Sequence, residues 1–221
     1  MIAPVLPDVS SIERLLVTRG LPVGPQVAAR VRDYLKLLLK WNQHLNLTAF
    51  REPEEQVVNL FGESFLAAEL LAEQDSPLLD VGSGAGFPGL ALKLVRPSLN
   101  CYLLEPRKKR AAFLAAVRRE LQLAPVQVLN KSLEQCRAGD FVSRPRVMTL
   151  RALGQPEILI SKGLGLLSAD ARVLLFTTGT SLESGLPVSD LIQWDAPLPI
   201  PWSQQKLMLL GRVRLVGKNT P

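Results

Sequence analysis

The spacing of apolar residues divides the chain into two parts with different predicted structure. In residues 10–74 apolar side chains recur three or four positions apart, as Val31, Leu35 and Leu38 do, which is the period of one helix face. The predicted helices are a short one over residues 10–19, a longer one that begins at Pro25, and a third that follows Pro53. We therefore expect an all-helical cap in residues 1–75.

From Pro77 onward, short apolar runs alternate with helical patterns. The predicted strands are 78–81, 99–104, 126–130, 146–150, 172–177 and a last one over 207–215, which Gly211 weakens. The predicted helices fall near 88–96, 107–122, 132–137 and 155–167. Such alternation implies crossover connections and a mostly parallel sheet. The fold class is therefore α/β, and we expect residues 76–221 to form one domain around this sheet.

The run from Leu78 to Gly89 reads as a buried strand, a glycine turn and the start of a helix. Gly82, Gly84 and Gly86 stand at alternate positions after the strand, and Pro88 suits the first turn of the helix. Because glycine has no Cβ, this backbone can bend sharply and approach a ligand closely. We expect the loop to direct backbone N–H groups and a helix N-terminus at that ligand.

Two features of the run concern the kind of ligand. Gly84-x-Gly86-x-x-Gly89 matches the dinucleotide-binding pattern, although a turn that only joins strand to helix is an alternative. Glu105 stands at the end of the second predicted strand. An acid there can accept hydrogen bonds from both hydroxyls of a ribose. A surface acid is the alternative there. The pattern indicates a ribose-bearing cofactor and leaves NAD and S-adenosylmethionine (SAM) both open.

Charge is distributed unevenly along the chain. The net charge of +6 combines −3 in residues 1–76, +8 in residues 77–151 and +1 in residues 152–221. Four basic residues open the helix after Glu105, namely Arg107, Lys108, Lys109 and Arg110. A basic field beside a cofactor site favours an anionic substrate such as nucleic acid, whereas a solvated helix face is the alternative.

The sequence argues against a membrane protein, a metal-binding or redox-active cysteine pair and a histidine-rich metal site. The sequence shows no apolar run that could span a bilayer and no signal pattern, so we expect a cytoplasmic protein without a membrane partner. Cys101 and Cys136 have no metal or redox spacing and are interpreted as packing thiols. A single histidine excludes a histidine-rich metal site, and we predict no metal.

Several motifs in one order resemble a known family. They are Lys40-Trp41-Asn42 with Leu45-Asn46-Leu47-Thr48, the run Asp80–Gly89 with its Phe-Pro-Gly end, Val95-Arg96-Pro97, Leu103-Leu104-Glu105, Lys109-Arg110 with Phe113-Leu114, and Val147–Ala152. Together they are similar to the bacterial RsmG (GidB) family, which methylates N7 of a guanine in 16S ribosomal RNA. The resemblance covers roughly residues 10–178.

The resemblance implies a class I SAM-methyltransferase fold, a Rossmann-like sheet with helices on both faces. Together with the glycine turn, the resemblance predicts which residues bind the cofactor. They are Gly82, Gly84, Gly86, Phe87, Glu105, Ser132, Leu133 and Arg151. Arg151 is also the candidate for positioning, since methylation of N7 needs no catalytic base. The candidate RNA contacts are Asn46 and the basic residues Arg107–Arg110. The implied partner is small-subunit ribosomal RNA or a ribosomal particle, bound by a monomer.

Four residues depart from the family pattern. Leu60 stands where the family usually has histidine, Glu63 where it has aspartate, Thr178 where it has lysine, and Arg146 where it has an acid. We expect these positions near the substrate, so SAM binding is preserved while RNA recognition or the reaction rate is altered. The chain is then a divergent methyltransferase, or else a SAM-binding paralogue with another substrate or no transfer activity. An NAD-dependent oxidoreductase is the more remote alternative.

Overall fold

The computed structural model describes residues 5–183 and 185–214 of the chain. The first helices are α1 (Val9–Val17), α2 (Pro25–Leu45), α3 (Pro53–Gln56) and α4 (Glu63–Ala68). Asp8 caps α1 by accepting a hydrogen bond from the Ser11 N–H, at 2.7 Å. A π-helix over Val57–Gly62 joins α3 to α4, so these three segments form one irregular rod.

One sheet of eight strands follows. The strands are β1 (Leu78–Val81), β2 (Cys101–Leu104), β3 (Val126–Leu129), β4 (Val147–Arg151), β5 (Arg172–Thr178), β6 (Ile192–Trp194), β7 (Leu198–Pro199) and β8 (Lys206–Val213). Their order is β3-β2-β1-β4-β5-β8-β6, and β7 also pairs with β8. The first five strands run parallel, and β8 is antiparallel to β5. The carboxyl ends of β1 to β5 therefore meet at one edge of the sheet.

Helices cover both faces of the sheet. The remaining ones are α5 (Gly89–Val95), α6 (Lys108–Glu120) and α7 (Pro156–Gly163). Leu78, Leu103 and Leu174 face the cap helices together with α5 and α6, while alternate residues such as Leu79 and Leu175 belong to a second core that contains residues of α7. The cap and one sheet face thus share a single hydrophobic core.

The expected elements agree with the structure in kind, with two exceptions. The helix predicted over 132–137 is only a 3₁₀ turn, Leu133–Gln135, because the backbone is extended at Ser132 and again at Cys136. The short strands β6 and β7 lie in a segment where the sequence pattern assigns nothing. β8 begins one residue before the predicted strand, and the predicted end at Leu215 lies outside the described residues. Within the described residues no helix is long and apolar enough to cross a membrane.

Candidate active site

The glycine loop follows β1 at the carboxyl edge of the sheet. Gly82, Gly84 and Gly86 all have positive φ, at 65°, 55° and 84°, a region that other residues rarely adopt. A Cβ on Gly82 would lie 2.8 Å from a methyl carbon of Leu153, so this position also requires the absence of a side chain. The alternating glycines are therefore needed both for backbone conformation and, at Gly82, for space.

Tyr34 of α2 connects the cap to the glycine loop and supports it. The Tyr34 hydroxyl donates a hydrogen bond to the Ala85 carbonyl oxygen at 2.7 Å, and its ring stacks on Phe87 with centroids 5.4 Å apart. A Cβ on Gly86 would overlap the Tyr34 hydroxyl oxygen. Burial raises the pKa of Tyr34 well above its ordinary value, so the phenol stays protonated and remains a donor.

Asp80 lies beneath the same loop and is fully buried. Its carboxyl oxygens accept hydrogen bonds from the Thr149 hydroxyl at 2.8 Å and from the Gly89 N–H at 3.2 Å. Burial raises the pKa of Asp80 to about 6, although these hydrogen bonds oppose the rise. Asp80 thus ties β1 to β4 and to the start of α5.

Glu105 follows β2 and braces the loop from the other side. One carboxylate oxygen accepts from the Gly84 N–H and the other from the Arg107 N–H, both at 2.9 Å. The residue is 3% exposed. A carboxylate has about four acceptor positions, so two remain for hydroxyl groups of a ligand. The expected ribose partner therefore also holds the loop in place in this structure.

The remaining cofactor candidates follow β3 on the same edge. Asn130 donates from its side chain to the Glu105 carbonyl oxygen at 2.9 Å, which joins the ends of β2 and β3. Ser132 then begins the 3₁₀ turn, and Leu133 is buried in the core on the α7 side of the sheet. The ends of β1, β2 and β3 thus carry the predicted loop, the predicted acid and the 3₁₀ turn in spatial order.

A cavity of about 300 Å³ opens between the cap and this edge. Five of the predicted site residues line it: Gly82, Gly84, Phe87, Arg110 and Arg151. Its other walls come from Leu47, Thr48, Ala49, Phe50, Leu60, Ser83, Ala85, Ala152 and Leu153. Five predicted residues lie outside this lining: Asn46, Gly86, Glu105, Ser132 and Leu133. Arg107, Lys108 and Lys109 also lie outside it and are exposed at the start of α6.

Arg151, the last residue of β4, is held by the cap. Its guanidinium donates to a Glu63 carboxylate oxygen at 2.7 Å and to the Asn59 carbonyl oxygen, and it lies over the Phe176 ring at 5.3 Å. The second Glu63 oxygen accepts from Lys206 Nζ, also at 2.7 Å. We call Asn59, Glu63, Arg151 and Lys206 the Glu63 cluster. Two cations share one buried carboxylate there, so the cluster carries excess positive charge.

The π-helix shapes the cap side of this cluster. Asn59 and Leu60 both lie in it, and both present carbonyl oxygens to the Arg151 guanidinium, Leu60 at 3.4 Å. Its wider turn leaves carbonyls without the usual α-helical partner, and such segments occur often at functional sites. Gly62 ends the π-helix, where a Cβ would lie 3.3 Å from the Trp202 ring. The glycine thus lets the cap pack closely on the segment before β8.

Comparison with known proteins identifies the family. Residues 28–186 match the family model described as rRNA small subunit methyltransferase G (GidB). A ribosomal RNA small subunit methyltransferase G from Anaeromyxobacter sp. (strain Fw109-5) is 31% identical, over 86% of this chain and 91% of its own. The protein of that name from Sorangium cellulosum (strain So ce56) is 35% identical, over 78% of this chain and 72% of its own. The chain belongs to this family.

Solved structures agree on the fold of this family member. A SAM dependent methyltransferase from Aquifex aeolicus aligns with a TM-score of 0.59 at 16% identity, over 72% of this chain and 93% of its own. The fibrillarin pre-rRNA processing protein from Methanococcus jannaschii aligns with a TM-score of 0.53 at 13% identity, over 67% and 74%. At these identities the likeness shows the fold alone, and it confirms the predicted α/β methyltransferase class.

Three of the four departures from the GidB pattern lie in the cap or at the carboxyl edge of the sheet. Leu60 lines the cavity and Glu63 holds Arg151. Thr178 ends β5 and pairs in register with Lys206 of β8, so a lysine does occupy the neighbouring strand position. The expectation for Arg146 is wrong. It immediately precedes β4 and therefore lies at the amino edge of the sheet, because parallel strands place their two ends on opposite edges. There its guanidinium donates a hydrogen bond to an Asp170 carboxylate oxygen at 2.6 Å.

The Lys-Trp-Asn motif of this GidB chain is explained by packing and capping. Trp41 packs edge-on against Phe113, with centroids 5.7 Å apart. The Asn42 side chain accepts from the N–H groups of Leu47 and Thr48 at 2.6 and 3.1 Å, which holds the segment that lines the cavity. Asn46 contributes its carbonyl oxygen, which accepts from Arg110 at 3.1 Å.

Sequence reasoning missed three residues that the structure brings to the site. Asn42 was part of a quoted motif, and its position near a helix end is a signal for capping. Tyr34 lies at helical spacing with Val31 and Leu38, which indicates packing alone, although a buried tyrosine hydroxyl usually needs a partner. Lys206 had no signal, because its contacts with Asn59 and Glu63 come from residues 147 and 143 positions away.

Proposed function

We propose that this protein transfers the methyl group of SAM to N7 of a guanine in 16S ribosomal RNA. One observation carries the proposal: the family match over residues 28–186 contains the glycine loop, Glu105 and Arg151, which the fold gathers at one edge. The relatives are named for methylation of small-subunit ribosomal RNA. This argues against the NAD-dependent oxidoreductase, which the glycine pattern alone had left open.

The residues present fit SAM by the chemistry of their donors and acceptors. Glu105 keeps free acceptor positions for ribose hydroxyls, and the glycine loop brings main-chain groups close to the cavity. Arg151 and Arg110 supply positive charge for a carboxylate. The residues that would hold the cofactor are Gly82, Gly84, Gly86, Phe87, Glu105, Ser132, Leu133 and Arg151.

The reaction requires positioning of the guanine and the cofactor, and it requires no acid–base catalysis. SAM supplies an electrophilic methyl group on a sulfonium. N7 of guanine carries a lone pair and no proton, so no residue has to remove one. The protein must hold N7 of the guanine in line with the methyl group that it attacks. Holding this geometry lowers the entropic part of the activation barrier. Arg151 suits this role because Glu63, Asn59 and Phe176 fix its guanidinium on the cavity wall.

The RNA would approach over the basic start of α6. Arg107, Lys108 and Lys109 are exposed there, and Arg110 reaches the cavity wall. The positive end of the helix dipole adds to their field, and the first turn contains no acid. Phosphates of an accessible, unpaired RNA segment suit such a surface. The division into a cap (1–75) and a methyltransferase domain (76–221), a monomeric state and a cytoplasmic location belong to the same proposal.

Calorimetric titration with SAM, S-adenosylhomocysteine and NADH tests the cofactor. We expect SAM and its product to bind, and Gly82→Asp and Glu105→Ala to weaken that binding more than tenfold. Gly139→Ala is the control, because a Cβ there meets nothing within 4 Å. Binding of NADH instead of SAM contradicts the proposal.

Methyl transfer to small-subunit particles that lack the modification tests the substrate. Borohydride reduction followed by aniline cleaves RNA at N7-methylguanosine, so the cleavage position identifies the methylated base. SAM binding without any transfer to the particle supports the alternative of a paralogue with another substrate or none.

A further inference from the structure

Lys206 lies at the carboxyl edge of the parallel strands, at a distance from the glycine loop along that edge. It begins β8 and pairs in register with Thr178, the last residue of β5. In the sheet, β4 and β5 separate β8 from β1, which the glycine loop follows. Three strand spacings amount to about 14 Å across the sheet. The backbone of Lys206 is therefore remote from the loop, at the part of the edge left for a substrate.

The ammonium group of Lys206 is held in place but not saturated. Among the described residues, its hydrogen-bond acceptors are the Glu63 carboxylate at 2.7 Å and the Asn59 side-chain oxygen at 3.1 Å. An ammonium has three N–H donors, so one remains for a further acceptor. The group also lies over the Phe50 ring, 5.3 Å from its centroid, and Phe50 lines the cavity. The Lys206 side chain as a whole is 33% exposed, so it is partly accessible to an incoming ligand.

The charge around Lys206 favours an anion. Glu63 is shared with Arg151, whose side chain is only 11% exposed and which faces the cap. Two cations on one carboxylate leave one positive charge in the Glu63 cluster. Arg110 adds a further cation on the cavity wall. A fixed ammonium on a partly exposed side chain in such a field is a suitable partner for a phosphate oxygen.

We propose that Lys206 is a positioning residue for the RNA, which binds a backbone phosphate beside the target nucleotide. This inference rests on the proposed function. Lys206 and the basic start of α6 would then hold the RNA at two places on either side of the cavity. Asn59 and Glu63 keep the ammonium oriented before the RNA arrives, which reduces the entropic cost of binding.

The test compares Lys206→Met, Lys206→Arg and Arg146→Met. Lys206→Met removes the charge and the donors at similar length, and Lys206→Arg restores both. Arg146→Met is the matched control, because it also removes one ion-paired cation but lies at the opposite edge of the sheet. KM for the unmodified particle and affinity for a fluorescent RNA fragment are measured from 50 to 200 mM salt, with SAM affinity and thermal unfolding measured in parallel.

We expect Lys206→Met to raise KM five- to tenfold at low salt and to reduce the slope of log affinity against log salt by about 0.7, the value for one phosphate contact with a single strand. SAM affinity should stay unchanged, and Lys206→Arg should restore the slope. A rise in KM with an unchanged slope means that Lys206 only fastens the cap, and it overturns the inference. A parallel loss of SAM affinity places Lys206 on the cofactor side and also overturns it. If the wild type transfers no methyl group, the proposed function fails, while the salt slope of RNA binding still decides the role of Lys206.

Discussion

Tyr34 and Ala85 are joined by a hydrogen bond of 2.7 Å that connects the cap to the glycine loop. The donor belongs to α2 and the acceptor is a main-chain carbonyl of the loop, 51 positions later in the chain. Since a buried carbonyl without a donor costs free energy, the loop conformation depends in part on the cap being docked. The cap therefore contributes to the cofactor side of the cleft as well as covering the sheet.

Replacing Tyr34 by phenylalanine should weaken both the fold and the cofactor site. The change leaves the Ala85 carbonyl unpaired, which should lower the free energy of unfolding by about 1–3 kcal/mol. We also expect SAM affinity to fall severalfold, because the loop is less well held. Thermal unfolding and calorimetric titration measure the two effects.

Tyr102→Phe is the matched control for this change. The Tyr102 hydroxyl accepts from the Ser143 N–H at 3.2 Å, away from the loop. Its loss should affect stability alone. Equal loss of SAM affinity in both variants would show that the Tyr34 contact has no special relation to the loop.

Gly86→Ala should be severely destabilising. The residue has φ of 84°, and the added Cβ would overlap the Tyr34 hydroxyl oxygen. Backbone strain of about 1–2 kcal/mol and overpacking of about 1–3 kcal/mol together predict a loss of about 2–5 kcal/mol. Urea unfolding measures it. The double variant with Tyr34→Phe should lose less than the sum of the single changes, since the overlapping oxygen is gone. Simple additivity would contradict the described geometry.

The sequence predicts the local part of this site and misses the part made by distant pairing. Strand, glycine turn and helix follow from apolar spacing and from glycine chemistry, both of which act within a dozen residues. The contact of Lys206 with Glu63 depends instead on β8 inserting antiparallel next to β5 and on its register. Neither is encoded in local periodicity. Arg146 is a different case, because it opens a predicted parallel strand, and that position already puts it at the amino edge of the sheet, opposite the glycine loop.

Removing the charge of Glu63 should be costly. Glu63→Gln leaves Arg151 and Lys206 side by side without their shared carboxylate, and breaking a buried ion pair costs about 3–5 kcal/mol. Urea unfolding should show a loss of that order, and methyl transfer should fall because Arg151 is no longer fixed. Glu134→Gln is the control, since its pair with Lys162 is exposed and should leave stability unchanged within error. A stable Glu63→Gln variant would show that Arg151 finds other partners.

Asp80 should make the stability of the protein depend on pH in an unusual direction. Burial raises its pKa from 3.8 to about 6, so between pH 4 and pH 6 the folded state binds more protons than the unfolded state. The contribution of Asp80 to the free energy of unfolding is therefore largest below pH 4, falls as the pH rises through this window, and is constant above it. The full change is about 3 kcal/mol. The Thr149 hydrogen bond, the other hydrogen bonds and the charge of Arg151 lower the pKa, and the value of about 6 already includes them.

Asp80→Asn isolates this contribution, because asparagine does not titrate. Its oxygen can accept from the Gly89 N–H, and its amide NH2 can donate to the Thr149 hydroxyl oxygen, which then acts as the acceptor. Urea unfolding of both proteins from pH 4 to pH 7 gives the difference between their free energies of unfolding. We expect the wild type to lose stability relative to the variant as the pH rises to about 6. Groups with lowered pKa, such as Asp140 and Glu134, affect both proteins equally and cancel in the difference. A difference that does not change with pH would mean that Asp80 keeps an ordinary pKa in the folded protein, through stronger support from Thr149 and Gly89 than their distances indicate.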